Sequence, residues 1–198
     1  MGSPRKLRKK FSKPTHPWQK LRIEEEKKLM KEYGFKNKKE LWRLNSKLRD
    51  FKRLVKILVP RKDEQAKKEK ELLLKKLQGL KLIKQDAILE DILALTLKDM
   101  CERRLQTLVC KKGMARSIGQ ARQFVTHDHI VVDNKKITSP SYLVNAKEED
   151  LIRFADNSNL NNPEHPERAN FAPAPEEKSQ EEKPKEKKSK EEKDERKK

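Results

Sequence analysis

Residues 113–123, GMARSIGQARQ, place the end of one helix directly before the start of another. Gly113 is typical of a helix C-terminus, because glycine adopts a positive φ at no steric cost. Ser117 and Gln120 have the spacing of a capping box, and they predict a short helix that runs to about Thr126. Two helices joined by a tight glycine turn form a unit similar to a helix-turn-helix.

The residues before this turn predict a series of helices. Apolar side chains recur at intervals of three and four, which is typical of helices with one buried face. Asn37 and Glu40 have capping-box spacing at the start of one helix, and Thr96 and Asp99 have it at the start of another. The predicted helices cover about residues 18–33, 38–59, 62–78, 86–93 and 96–112.

The residues after the turn predict strands. Residues 130–132 are β-branched, and Asp133 and Asn134 tolerate the left-handed backbone of a tight hairpin. Two further apolar runs, residues 142–144 and 151–154, complete a small predicted sheet. The predicted fold class is therefore α+β and mainly helical, with a small β-sheet near the C-terminal end of the folded part.

The charge of the chain is unevenly distributed. Its 198 residues carry a net charge of +19, and only 33% of them are hydrophobic. Residues 157–198 hold eleven basic and eleven acidic side chains, so the whole excess lies on residues 1–156. Such an excess needs a polyanion to neutralise it, and nucleic acid is the first candidate. An anionic membrane is the second, but no run approaches the ~20 apolar residues that span a bilayer, and we expect no membrane partner.

The two ends of the chain differ from its middle. Residues 1–22 contain eight Lys or Arg residues and no acidic residue, with Phe11 and Trp18 among them. This composition suits an arm that gains order only on RNA, where aromatic stacking and charge act together. Residues 157–198 hold five prolines and a balanced Glu/Lys mixture, which predicts a disordered tail. Because that tail is neutral, we expect its deletion to leave the fold and the affinity for nucleic acid nearly unchanged.

Several short stretches carry a family resemblance. Five of them resemble the S-four RNA-binding domain in their order and spacing. They are RRLQ at 103–106, GMARS at 113–117, QARQ at 120–123, HIVV at 129–132 and SPSY at 139–142. Three upstream stretches are similar to the N-terminal half of the S-four family of small-subunit ribosomal proteins, in its archaeal-type form. They are KPTHPW at 13–18, YGFKNK at 33–38 and ELWR at 40–43. The resemblance covers roughly residues 4–155.

The resemblance implies both a domain organisation and a function. It implies a basic RNA-binding arm at residues 1–17, a helical domain at 18–95 and an S-four module at 96–156, and it does not cover the tail at 157–198, which composition alone predicts. Members of the family bind rRNA early in assembly of the small subunit and influence the accuracy of translation in the cytoplasm. The implied partners are small-subunit rRNA, the third and fifth small-subunit proteins, and mRNA where it enters its channel.

The chain departs from the family pattern at three places. Asp128 and Asn134 stand where glycine is common, and the turn at Asn134 should survive because asparagine tolerates positive φ. Ile118 and Gly119 replace a basic residue that often follows the serine, which removes one phosphate contact. Arg116 is placed to compensate for that loss.

The predicted RNA contacts are cations, amides and aromatic groups off the apolar faces. Arg104 has an alternative role in an internal ion pair with an acid such as Asp99 or Glu102. The predicted contacts are Lys6, Arg8, Lys9, Lys10, Lys13, His16, Trp18, Lys20 and Arg22 in the arm and first helix, Lys36, Lys38 and Arg43 around the second helix, and Arg103, Arg104, Lys111, Lys112, Arg116, Ser117, Gln120, Arg122, Gln123, His127, His129, Lys135 and Lys136 in the module.

No pattern indicates a metal, a cofactor or catalysis. His127 and His129 are two ligands on one short loop, which do not make a metal site. Cys101 and Cys110 have the spacing of neither a disulfide framework nor a zinc ribbon, and free thiols fit a reducing cytoplasm. There is no glycine-rich phosphate loop and no nucleophile with a base.

Two other classes of protein remain as alternatives. An RNA-modifying or tRNA-related enzyme could carry such a module, but residues 1–95 are too short, too basic and too helical for a catalytic domain. A chromatin-like DNA-binding protein could use the helix-turn-helix-like unit. Comparing the affinity for a folded rRNA fragment with that for duplex DNA at equal salt separates this DNA-binding alternative from an rRNA-binding protein.

Overall fold

The computed structural model describes residues 9, 11–162, 165 and 167. The predicted contacts Lys6, Arg8 and Lys10, and nearly all of the predicted tail, lie outside these residues. Among the described helices, none has both the length and the apolar character required to cross a bilayer.

The N-terminal domain is built around one long helix, as its apolar spacing predicts. The described helices are α1 (Lys20–Glu32), α2 (Lys38–Leu58), α3 (Glu64–Gly79) and α4 (Asp91–Ala94). α2 packs against α1, α3 and α4, and it carries the buried side chains Leu41, Leu44, Leu48, Val55 and Leu58. These residues recur every three to four positions and form one apolar stripe.

The C-terminal module combines short helices with a three-stranded sheet. Its elements are α5 (Leu97–Glu102), α6 (Leu105–Lys111), α7 (Ile118–Thr126), β1 (Ile130–Val132), β2 (Lys135–Lys136), α8 (Ala146–Glu149) and β3 (Ile152–Phe154). The sheet order is β2-β1-β3, and both pairings are antiparallel. Val131 of β1 lies between Lys136 of β2 and Arg153 of β3. The predicted α+β, mainly helical class is confirmed.

Two of the predicted turns are confirmed by the backbone. Gly113 ends α6 with φ of 71°. Asp133 and Asn134 form the hairpin with φ of 46° and 63°. Asp128 also adopts a positive φ, 63°, and so takes the conformation for which the family often uses glycine.

The single helix predicted from 96 to 112 is wrong, because the chain breaks into α5 and α6. Arg104 is extended, with ψ of 141°. The break pairs with residues 142–144: Leu105 N–H donates to the Tyr142 carbonyl at 2.8 Å, and Val144 N–H donates to the Arg103 carbonyl at 3.1 Å. Residues 142–144 therefore cover this break and are not a strand of the sheet.

The predicted helix caps form only in part. The Thr96–Asp99 capping box is complete, but Ser117 accepts from Gln120 N–H without the reciprocal bond. Asn37 occupies the N-cap of α2 without a side-chain bond, because Glu40 N–H donates to the Asn37 backbone carbonyl at 3.0 Å, while the Glu40 carboxylate contacts arginines elsewhere. Tertiary partners compete with local caps for the same carboxylate or amide.

The packed module extends beyond the predicted boundary at Asp156. A 3₁₀ turn (Asn159–Asn161) follows β3, and Leu160 is buried in the same core as Phe124 and Phe154. Ser158 also contacts His129, with 2.8 Å between its Oγ and the imidazole Nδ1. Residues 157–162 therefore belong to the folded module and not to the tail.

Candidate RNA-binding surface

Glu40, in the first turn of α2, lies at the junction between the helical domain and the module. Its carboxylate accepts hydrogen bonds from Arg122 at 2.7 and 3.1 Å and from Arg104 at 3.2 Å. Burial alone would raise the pKa of Glu40, but the two arginines outweigh it and hold the pKa below its usual value. The ionised carboxylate therefore joins α2 to α7 and to the break between α5 and α6.

Arg104 is an internal residue. Its side chain is fully buried, and its guanidinium lies 4.0 Å over the centre of the Phe35 ring. Burial lowers the pKa of Arg104, and the charge of Glu40 opposes that shift. The predicted RNA contact is wrong for this side chain. The alternative of an internal ion pair is confirmed, but the acid is Glu40 and neither Asp99 nor Glu102.

A second contact fixes the same junction. The buried Gln106 amide donates to the Gly34 carbonyl at 3.2 Å and to the Ile118 carbonyl at 2.9 Å. Gly34 has φ of 60°, and a Cβ placed there would lie 2.6 Å from Ile118 Cγ2. Only glycine fits this approach of the α1–α2 turn to α7.

Arg103 is also turned inward. It pairs with Glu149 at 3.1 Å and donates to the Val144 carbonyl at 3.1 Å, and only 9% of the residue is exposed. Glu149 is shared with Lys81 at 2.8 Å, and Lys112 donates to its backbone carbonyl. Hydrogen bonds from Lys81, followed by those from Arg103, lower the pKa of Glu149 against the effect of burial. These contacts fix α8 against the rest of the module and, through Lys81, against the helical domain.

The start of α7 presents exposed polar groups to solvent. The Arg116 side chain is exposed and has no partner among the described residues, while its backbone N–H donates to Gln120 Oε1 at 2.8 Å. Ser117 is exposed and caps the helix. Arg122, one turn further along, is partly exposed but held by Glu40. The exposed predicted contacts elsewhere in the module are Lys111, Lys112, Gln123, His127, Lys135 and Lys136.

Part of the arm is already folded onto α1 and α2. The Phe11 and Trp42 rings lie 6.3 Å apart, and Ser12 N–H donates to Ser46 Oγ at 3.1 Å. Arg22 donates to the His16 and Pro17 carbonyls at 3.0 and 2.8 Å. From Phe11 onward the arm therefore has contacts with α1 and α2, and the order of residues 2–18 without RNA stays a prediction, which amide exchange of the RNA-free protein tests. Exposed groups on this side are Lys9, Lys13, His16, Trp18, Lys20, Lys36 and Arg43.

Glu26 organises the contacts beneath this arm. It accepts from Arg22 at 2.5 Å and from Trp42 Nε1 at 3.0 Å, and it pairs with Lys38 at 3.2 Å. Burial would raise the pKa of Glu26, but bonds from Trp42, Lys38 and Arg22 together lower it. The predicted contacts Arg22 and Lys38 are thus partly neutralised in the free chain.

His129 packs in the module. Its ring lies edge-on to Phe124, with 6.1 Å between the ring centres, and it contacts Ser158. Within the described part of the chain, no three His, Cys, Asp or Glu side chains are arranged to hold a metal ion.

The first turn of α2 connects two areas of exposed basic side chains. One lies around the arm and α1, and the other lies on the module. Lys38 faces Glu26 under the arm, and Glu40, two residues later, faces Arg122 of the module. Sequence reasoning assigned no role to Glu40 beyond a cap and none to Gln106, Lys39 or Trp42. Glu40 and Trp42 lie in the ELWR stretch and Gln106 lies in the RRLQ stretch. Their place in these family-like stretches is the only sequence feature that indicates a role for them.

Comparison with known proteins agrees with this architecture. The S4 domain family model matches residues 103–151. The chain is 49% identical over 158 residues to small ribosomal subunit protein uS4 of Ignicoccus hospitalis. These aligned residues cover 80% of this chain and 95% of the relative. It is 46% identical to uS4 of Methanococcus aeolicus, over 85% of this chain and 96% of the relative. For uS4 of Thermoplasma acidophilum the identity is 45%, over 88% and 89% of the two chains.

Similarity of this extent covers the helical domain and the module together. The similarity therefore extends beyond the S4 domain, whose family model matches only residues 103–151. The chain therefore belongs to the archaeal-type uS4 family of small ribosomal subunit proteins.

Proposed function

We propose that this protein is a structural, non-enzymatic constituent of the small ribosomal subunit that binds rRNA in the cytoplasm. The observation that carries the proposal is 49% identity over 95% of a relative named small ribosomal subunit protein uS4. The charge supports it, because all of the +19 lies on residues 1–156, which hold all of the described helices and strands except the final 3₁₀ turn. Counterion release by such cations contributes a large share of the affinity of proteins for nucleic acids.

The binding surface comprises the exposed groups of the two basic areas. In the module these are Arg116, Ser117 and Gln123, with Lys135 and Lys136 on β2. On the side of the arm they are the exposed cations around α1 and α2. Arg104 and Arg103 are left out because both are buried. Phosphate contacts from the exposed cations would set the orientation of the protein on the RNA.

The finer proposals concern the place of the protein in the subunit. We infer binding early in assembly, near the channel that mRNA enters, beside the third and fifth small-subunit proteins, with an effect on accuracy. The junction around Glu40 supports early binding, since contacts within the chain itself orient the two domains. Cross-linking of the assembled subunit tests the neighbours and the mRNA, and a misreading assay on depleted and reconstituted subunits tests the accuracy.

The primary test compares two nucleic acids at equal salt. The full chain is titrated with a protein-free fragment of small-subunit rRNA from its 5′ domain and with duplex DNA of equal charge. We expect at least a ~10³-fold preference for the rRNA, the lower end of the ~10³–10⁷ by which specific protein–DNA binding exceeds non-specific binding. Equal affinities would leave only non-specific electrostatic binding and would contradict the proposal.

A further inference from the structure

A pocket of about 400 Å³ lies where the arm folds back onto α1 and α2. The arm contributes Lys13 and two prolines, Pro14 and Pro17. The start of α2 contributes Lys38, Lys39 and Trp42. The volume falls within the ~300–1,000 Å³ that is typical of small-ligand pockets.

The walls of the pocket are held by contacts within the chain. Arg22, which also lines it, donates to the His16 and Pro17 carbonyls and so fixes the turn of the arm. Trp42 is fixed through its Nε1, which donates to Glu26 at 3.0 Å. Arg49 donates to Ser12 Oγ and adds another anchor for the arm. Because these contacts lie within the chain, little of the pocket needs to be ordered by a ligand, which reduces the entropic cost of binding.

The charges of the pocket are only partly compensated. Four cationic side chains line it, and the single carboxylate behind them, Glu26, pairs with Arg22 and Lys38. Lys13 and Lys39 are exposed and have no acidic partner among the described residues. The pocket thus combines two available cations with an apolar wall of two prolines and an indole.

We propose that this pocket binds one unpaired nucleotide of RNA, its base against Pro14, Pro17 and Trp42 and its phosphate at Lys13 and Lys39. This inference rests on the proposed rRNA binding and names a particular form of it. A base is planar and apolar on its faces and carries a phosphate beside it, which matches the two halves of the pocket. Unstacked bases in loops are the parts of RNA that proteins recognise in this way.

An anion without a base would use only half of these features. A free phosphate or an acidic peptide would satisfy the lysines and leave the proline and indole wall without a contact. The apolar wall therefore favours a nucleotide over other anions, and this difference is measurable.

The test uses Trp42 as a reporter. In a full-length Trp18→Phe variant, Trp42 is the only remaining tryptophan, since the chain has two. Its fluorescence is titrated with single-stranded octa-adenylate, with an abasic ribose-phosphate octamer of equal charge, and with octa-glutamate. We expect quenching by octa-adenylate and an affinity about tenfold higher than for the abasic octamer or the peptide. Equal affinities for octa-adenylate and either base-free anion, or octa-adenylate binding without quenching, would overturn the proposal.

A pair of lysine variants locates the phosphate. Lys39→Ala should weaken octa-adenylate binding about fivefold, while Lys67→Ala, an equally exposed lysine on α3, should not change it. Equal losses of affinity in the two variants would show that any exposed lysine contributes equally to octa-adenylate binding. That result would overturn the placement of the phosphate at Lys39.

Failure of this pocket is distinguishable from failure of the proposed function. Suppose that octa-adenylate binds with the same affinity as the abasic octamer, while the 5′-domain fragment still binds more tightly than duplex DNA. In that case only the proposal of a nucleotide pocket is wrong. If that preference is also absent, the rRNA-binding role itself is wrong.

Discussion

The Glu40 carboxylate binds Arg122 at 2.7 Å, although the two residues stand 82 positions apart in the chain. Glu40 belongs to the helical domain and Arg122 to the S4 domain, and the buried Arg104 shares the same carboxylate. Glu40 thus helps to fix the orientation of the two domains, together with Gln106, and also holds Arg122 near the exposed start of α7.

Replacement of Glu40 should destabilise the junction strongly. Glu40→Gln leaves the fully buried Arg104 without a counter-ion, and breaking such a pair costs roughly 3–5 kcal/mol. We expect a loss of about 3 kcal/mol in the free energy of unfolding, because the glutamine still accepts one hydrogen bond. Urea denaturation measures this loss. Glu25→Gln, at an exposed position on α1, is the control and should change stability by less than ~0.5 kcal/mol.

The stabilisation by Glu40 should depend on pH in one direction. Its pKa is lowered in the folded chain, so its contribution is complete above the ordinary value of 4.5 and is lost as the pH falls through the folded pKa. We expect the stability difference between wild type and Glu40→Gln to be constant above pH 4.5 and to shrink below it. Urea titrations at a series of pH values test this, and a difference that grew on acidification would contradict it.

Gly34 and Gly119 should respond in opposite ways to alanine. At Gly34 the φ is 60° and the new Cβ would lie 2.6 Å from Ile118 Cγ2 and 2.8 Å from Gln106 Nε2. Gly34→Ala should cost roughly 2–4 kcal/mol, combining backbone strain with overpacking. Gly119, inside α7, has only Ser117 Oγ near its Cβ, at 3.9 Å, so Gly119→Ala should be neutral or stabilise by up to ~1 kcal/mol. Thermal unfolding of the two variants gives the comparison.

Two truncations should locate the end of the module. A chain that ends at Asn162 keeps Leu160 in the core, whereas one that ends at Asp156 loses it. Burial of a leucine contributes roughly 1.5–3 kcal/mol, so only the shorter chain should be destabilised by about that amount. Equal stabilities of the two truncated chains would show that Leu160 does not support the core. The expectation that deletion from residue 157 leaves the fold unchanged is thereby revised.

Features with a local cause could be predicted from the sequence. The Asp133–Asn134 hairpin, the cap at Ser117 and the turn at Gly113 each depend on the conformational preference of a residue at its own position. The apolar stripe of α2 has the same local character, because helical periodicity alone places it.

Features with distant causes could not be predicted in this way. The chain breaks at Arg103 and Arg104 because residues 142–144 pair with it there, and nothing beside the two arginines indicates that partner. The spacing of Asn37 and Glu40 predicts a cap, but the arginines of another domain bind Glu40 instead. Arg104 and Arg116 are both cations in RNA-binding motifs, and only the fold distinguishes the buried one from the exposed one.

The contribution of Arg116 to RNA binding tests the central claim most directly. The affinity of wild type and of Arg116→Ala for the 5′-domain rRNA fragment is measured over a series of salt concentrations, with Arg61→Ala as the control at another exposed arginine. If Arg116 contacts phosphate, its loss should weaken binding and lower the slope of log K against log salt by roughly one unit, and Arg61→Ala should leave both unchanged. An Arg116→Ala variant with the affinity and slope of the wild type would contradict the account, because the exposed start of α7 would then not lie on the RNA.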